Sequence, residues 1–194
     1  MPKVVDHDQY RKALLNQCFD LFAEHGYASL TTRQIAKALG VSTGTLYYYF
    51  PSKEDLFMQL IEELTTQDLL RASAEIEGLS SLRERILALG DFLEANEDYF
   101  TKQTLLMMDF YQQAGVGPSR VNEAVRRVSV RSRDEIMTAL QIDNPLIATH
   151  VLCLIDGLIS ERMVNPEMVS YRQQAELLAD LLTAYLEKFP GGQP

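Results

Sequence analysis

Along the first segment, from about residue 9, apolar positions return every three or four residues. Leu14, Cys18, Leu21 and Phe22 share one face up to His25, and Gly26 follows where a helix closes. Thr31 with Gln34 three residues on is a capping-box pattern, so a second helix opens there and ends at Gly40. A third covers about 42–49 and stops near Phe50, because Pro51 disfavours helical backbone in the residue before it. Ser52 caps a fourth, with Glu54 and Asp55 in its first turn and a stripe of Leu56 or Phe57, Leu60, Ile61 and Leu64 to bury. Further helices are expected at about 80–95, 98–114, 118–141, 145–163 and 167–188. Gly78, the Gly115–Pro118 turn, Asn144–Pro145 and Asn165–Pro166 separate them, and the tail from Pro190 should fray. No segment sustains period-two alternation, so no strand is assigned and the fold class is all-α.

The second and third helices meet across Gly40–Val41, the spacing of a helix-turn-helix. Ala36 is small where the two must approach, and Gly40 is free to adopt the left-handed backbone of a sharp turn. Ile35, Leu39, Val41 and Leu46 are the apolar positions that bury the pair against the first helix. Left exposed on the third helix are Ser42, Thr43, Gly44, Thr45, Tyr47, Tyr48 and Tyr49; three consecutive aromatics cannot all face one side. Hydroxyls and phenols on a short helix of this kind suit contacts to phosphates and base edges. Lys53, opening the next helix, adds an ammonium and a helix N-terminal amide, which together suit a phosphate.

Charge sharpens this division. The 194-residue chain carries a net −9, yet residues 1–60 hold six basic and six acidic side chains and are neutral. The whole deficit lies in the remainder, so the two parts face different partners. Arg33, Lys53, Lys37 and Lys3 are the cations the N-terminal part offers to DNA. Cys18 and Cys153 form no disulfide framework or metal-ligand spacing, and both are expected reduced and mostly buried. No leader pattern opens the chain and no apolar run approaches ~18 residues, so a cytoplasmic protein without a membrane partner is expected.

The order Phe22-Ala23, Gly26-Tyr27, Thr31, Ile35-Ala36, Leu39-Gly40-Val41-Ser42, Gly44-Thr45-Leu46-Tyr47 and Phe50-Pro51-Ser52-Lys53-Glu54 resembles the DNA-binding domain of the tetracycline-repressor (TetR) family. The resemblance covers roughly the first 60 residues. It implies an all-helical homodimer with a helix-turn-helix DNA-binding domain (residues 1–54) and a ligand-binding and dimerisation domain (residues 55–194). Carried over residue by residue, the DNA contacts fall on Thr31, Thr32, Arg33, Ser42, Thr43, Gly44, Thr45, Tyr47, Tyr48, Tyr49 and Lys53. Thr43 stands where many members carry a Lys or Arg, and Tyr49 where many carry His.

Beyond about residue 70 the resemblance fades and the pattern alone speaks. Leu152, Ile155, Leu158 and Ile159, with Leu177, Leu178, Leu181, Leu182 and Tyr185 on the last helix, are long apolar stripes for a monomer surface. Gly157 interrupts the first, and a helix-interior glycine at that point suits close approach of a second backbone. These residues are the expected dimer interface; an intrasubunit core is the competing reading. Met107, Met108, Phe110 and Tyr111, with Leu60, Leu64, His150 and Cys153, are the expected ligand pocket, since pockets are mainly apolar with a few polar groups. Ordinary core packing explains the same Met and aromatic pattern. Arg126, Arg127, Arg131 and Arg133 read as a solvated helix face.

No Gly-rich phosphate loop, G-x-S-x-G or clustered Cys/His set is present, so neither an enzyme nor a cofactor is expected. The reading is a ligand-responsive DNA-binding transcriptional regulator, a repressor released from double-stranded operator DNA by a small-molecule effector. The alternatives are an activator, or a helical small-molecule-binding protein with a vestigial DNA-binding domain.

Overall fold

The computed structural model describes residues 6–114 and 120–189. Lys3, the expected turn at 115–118 and the tail from Pro190 lie outside the described residues. Among the described residues there is no strand, and the helices run α1 (His7–His25), α2 (Thr32–Ala38), α3 (Thr43–Tyr49), α4 (Lys53–Ile76), α5 (Leu82–Ala95), α6 (Glu97–Ala114), α7 (Arg120–Leu140), α8 (Pro145–Val164) and α9 (Tyr171–Lys188). The fold is all-α. No single described helix is long and apolar enough to cross a membrane.

The chain divides into two compact units, Met1–Thr66 with Leu105–Val128, and Gln67–Thr104 with Ser129–Pro194. The domain boundary expected at residue 54 falls inside the first unit, where α4 continues unbroken. In that unit Leu14, Cys18, Phe22, Ile35, Ala36, Leu46, Phe50 and the whole α4 stripe from Leu56 to Leu64 are buried, whereas Leu39 and Val41 are only half-buried. An aromatic cluster completes it. Phe57 stacks on Phe110 at 4.1 Å, and Tyr27 meets both edge-on at 4.9 and 5.0 Å.

The second unit packs α5, α8 and α9 with the end of α7. Ile86, Leu140, Val151, Ala175, Leu178, Ala179 and Leu182 form one core, and Phe92, Phe100, Ile159 and Tyr171 another. α5 and α9 approach closely at Gly90, where an added Cβ would stand 2.7 Å from the Ala175 Cβ. At Gly157 an added Cβ would meet nothing within 4 Å of its own chain.

Several expectations need correction here. Ile159, Leu178 and Leu182, expected on a dimer interface, are buried in the chain's own core. Cys153, expected buried, is exposed, because α8 is apolar on nearly every side and this face has no cover within the chain; Cys18 is buried, and burial pushes its thiol up to about 12. α9 starts at Tyr171 rather than near 167. Ser170 caps it by accepting from the Gln173 N–H, and Arg162 donates to the carbonyls of Pro166 and Val169, holding the preceding residues in a loop.

Candidate nucleic-acid interface

Both short helices of the reader are locked at their first turns. The Thr31 hydroxyl accepts from the Gln34 N–H at 3.3 Å and donates to Gln34 Oε1 at 2.7 Å, and that oxygen also accepts from the Thr31 N–H at 2.9 Å. Across the turn, Gly40 has φ +68° and the Val41 N–H reaches back to the Ala36 carbonyl at 3.0 Å, a closure that requires left-handed backbone at the glycine. Ser42 then caps α3 by accepting from the Thr45 N–H at 2.9 Å, and the two hydroxyls sit 2.8 Å apart. The hydroxyls of Thr31, Ser42 and Thr45 thus fix the helices before they meet any ligand.

The aromatic run splits by helical phase. Leu46 and Phe50 are buried, while Tyr47 and Tyr48 are 48% and 72% exposed. Tyr49 leans back onto α1, its hydroxyl 2.8 Å from His7 Nδ1 and its ring 5.5 Å from Tyr10. Thr43 and Thr32 are half-buried; Gly44 and Arg33 are exposed. Among the described residues, Arg33 and Lys37 are exposed and have no carboxylate partner, whereas Lys12 pairs with Glu63 at 3.4 Å and Arg11 donates to Gln59 Oε1 at 2.7 Å.

Lys53 turns inward. Its ammonium donates to the carbonyls of Tyr27 (2.8 Å) and Leu30 (3.0 Å) and lies 4.1 Å from the centre of the Tyr27 ring. Two of its three donors therefore hold the α1–α2 turn, and one is left. Burial lowers its pKa, and the Asp109 carboxylate opposes that only in part, from beyond ion-pair distance. Asp109 grips the same turn from α6, accepting from the Ala28 N–H at 3.2 Å. Gly26, at φ +79°, is doubly required here, since an added Cβ would lie 3.3 Å from Asp109 Oδ2.

Of the expected ligand pocket, Leu60, Leu64, Met107, Met108, Phe110 and Tyr111 belong to the first unit and His150 and Cys153 to the second. Leu60, Leu64 and Phe110 are buried, and Met107 and Tyr111 half-buried. Met108, His150 and Cys153 are exposed. Of the expected interface, Leu152, Ile155, Leu158 and Tyr185 are half-buried, and Gly157, Leu177 and Leu181 are exposed. Sequence reading missed His7, Tyr10 and Asp109, and nothing in their local pattern marks them. Among the described residues no group of three His, Cys, Asp or Glu side chains is placed to hold a metal ion.

Comparison with known proteins adds the context. Residues 14–60 match the family model of bacterial regulatory proteins, tetR family. The HTH-type transcriptional regulator BetI of Agrobacterium fabrum is 30% identical, over 100% of this chain and 96% of that one. The nucleoid occlusion factor SlmA of Sodalis glossinidius is 32% identical over 86% of this chain and 88% of its own. A TetR transcription regulator from Haloarcula marismortui has the same fold, with a TM-score of 0.71 at 20% identity over 90% of this chain and 98% of that one.

Proposed function

The chain belongs to the tetR family of bacterial regulatory proteins and is a DNA-binding transcriptional regulator; from that premise we propose that it is a homodimeric repressor, released from a near-palindromic operator by a small molecule. One observation carries the DNA half of this reading. The capped α2–α3 pair displays Tyr47, Tyr48, Arg33 and Lys37 on a surface that its own chain leaves uncovered.

Phosphates are held by Arg33, the phenols of Tyr47 and Tyr48, and the remaining Lys53 donor, while Thr43, Gly44 and Thr45 face base edges and Thr31, Thr32, Ser42 and Tyr49 complete the contact surface. Two-fold symmetry comes from α8 and α9. Leu146 on α8 and Leu177 and Leu181 on α9 are 70%, 52% and 57% exposed, and Gly157 on α8 is open as well. Exposed aliphatics with no polar tip suit a lasting protein partner, here a second copy.

Release runs through α6. An effector lodged about Leu60, Leu64, Met107 and Tyr111 displaces the helix that carries Asp109 and Phe110, and so loosens the grip on the Gly26–Leu30 turn. A ligand acts only through its different affinity for the two arrangements. The protein works in the cytoplasm without a cofactor.

A gel mobility shift with DNA from upstream of its own coding region tests the first claim: retarded bands that survive excess unrelated duplex are expected, and none would remove the repressor reading. Paired Leu177→Glu and Leu181→Glu substitutions, both at sites exposed in the single chain, should yield helical monomers by sedimentation and abolish operator binding. Dimers persisting at micromolar concentration would move the interface elsewhere.

A further inference from the structure

Among the described residues Arg85 is the one buried charged side chain, 7% exposed. Its Nε and Nη2 both donate to the Leu79 carbonyl, at 3.1 and 2.8 Å, and no carboxylate of the described residues stands within ion-pair distance. The neighbouring acid on α5, Glu84, is engaged by Ser80 and Ser81 in the helix cap. Three of the five guanidinium N–H groups have no protein acceptor among the described residues, so they are free to meet a ligand at the groove that Arg85 lines.

That cation lines a groove of about 680 Å³ within the second unit, bounded by α4, the Glu77–Leu79 turn and the end of α7. The volume lies in the range of small-molecule sites, roughly 300–1,000 Å³. Leu70, Ala74, Ile76, Leu79 and Ala139 supply apolar wall, and Leu70 is 66% exposed there. Glu77 and Glu135 also line the groove. Their charges oppose anions in the groove, a doubly charged one most, so a ligand with a single carboxylate is the anion Arg85 holds at least cost.

We propose that this groove binds a monocarboxylate bearing a short apolar chain, its carboxylate on the free guanidinium donors of Arg85 and its chain along Leu70, Ile76 and Ala139. Fork-shaped pairing of guanidinium with carboxylate satisfies two donors at once and supplies the missing counter-charge. The site is independent of the α6 region assigned above to the effector.

Calorimetric titration of the full chain, free of DNA, with octanoate as the probe is the test. Saturable binding of one octanoate per chain is expected, with octylamine and inorganic phosphate failing to compete. Arg85→Gln should weaken it by about tenfold or more, as loss of a charge-assisted pair does. Ala139→Phe narrows the groove without touching the Arg85–Leu79 contact and should weaken it comparably. Glu135→Gln should strengthen it about two- to fivefold by removing a like charge. Circular dichroism checks that each variant is folded, and if Arg85→Gln is not, the other two decide. Absence of saturable binding, or an affinity unchanged in folded Ala139→Phe and Glu135→Gln, overturns the proposal.

Discussion

Lys53 in the first unit and Arg162 in the second do the same mechanical job. Each lies over a tyrosine ring, Lys53 4.1 Å from the centre of Tyr27 and Arg162 5.0 Å from that of Tyr171. Each donates to two carbonyls of the loop in front of a helix, Tyr27 and Leu30 in one case, Pro166 and Val169 in the other. They differ in counter-charge. Arg162 also makes a two-pronged pair with Glu97, its Nη2 at 2.8 Å from Oε2, and the pair holds the Glu97 carboxyl below and the guanidinium above their ordinary pKa values. Lys53 has no such partner and its pKa is lowered by burial. The Arg162 clasp is electrically closed and serves the fold; the Lys53 clasp keeps an unmet attraction for an anion, which a phosphate would answer.

The largest test of that contrast removes each cation. Lys53→Met, which keeps the stem over Tyr27, should cut operator affinity by about 10–100-fold in fluorescence anisotropy, as loss of a charge-assisted contact from both subunits would. Its cost in urea unfolding should be modest, about 1–2 kcal/mol for two carbonyl hydrogen bonds. Arg162→Met should do the reverse, lowering unfolding stability by about 2–4 kcal/mol through the stranded Glu97 while sparing the affinity of the folded fraction. Equal effects of the two variants would end the comparison.

Salt dependence gives a smaller but cleaner readout. A dimer that neutralises about four to six phosphates should show a slope of log K against log salt near −4 to −5. Lys53→Met should flatten it by about 2, one unit per subunit, whereas Tyr47→Phe should change affinity and leave the slope alone.

The smallest effect separates the clasps by pH. Because the folded Glu97 pKa is depressed, its contribution is complete above the ordinary carboxylate value and is lost as pH falls through the folded value. Glu97→Gln should therefore flatten the acid limb of a stability–pH curve. Lys53→Met should leave that limb unchanged, since a lysine with a lowered pKa acts only on the alkaline side.

What was legible in the chain was local. The Thr31–Gln34 box, the Gly40 turn, the stop before Pro51 and the α4 stripe each depend on residues within a few positions, and each is found where the spacing puts it. Lys53 was readable as a cation near the reader but not as a clasp, because its acceptors are backbone carbonyls 26 and 23 residues away, which carry no side-chain identity. Tyr49 found His7 across 42 residues for the same reason. On α8, apolar residues fill nearly the whole circumference, so the pattern gave no phase to say that Ile159 turns inward and Cys153 outward.

The stacking of Phe110 on Phe57 has a consequence for synthesis. The helices of the DNA reader, α1 to α3, are complete once residue 49 is made, but Phe110 of the aromatic cluster, and the acceptor for the Ala28 N–H, arrive only with α6. At bacterial elongation rates of about 5–20 residues per second, the roughly 50 residues between the two rings take about 3–10 s to emerge. For that interval Phe57 and Tyr27 have only each other and Phe22 to pack on, and the nascent reader waits for Phe110 to close its aromatic cluster.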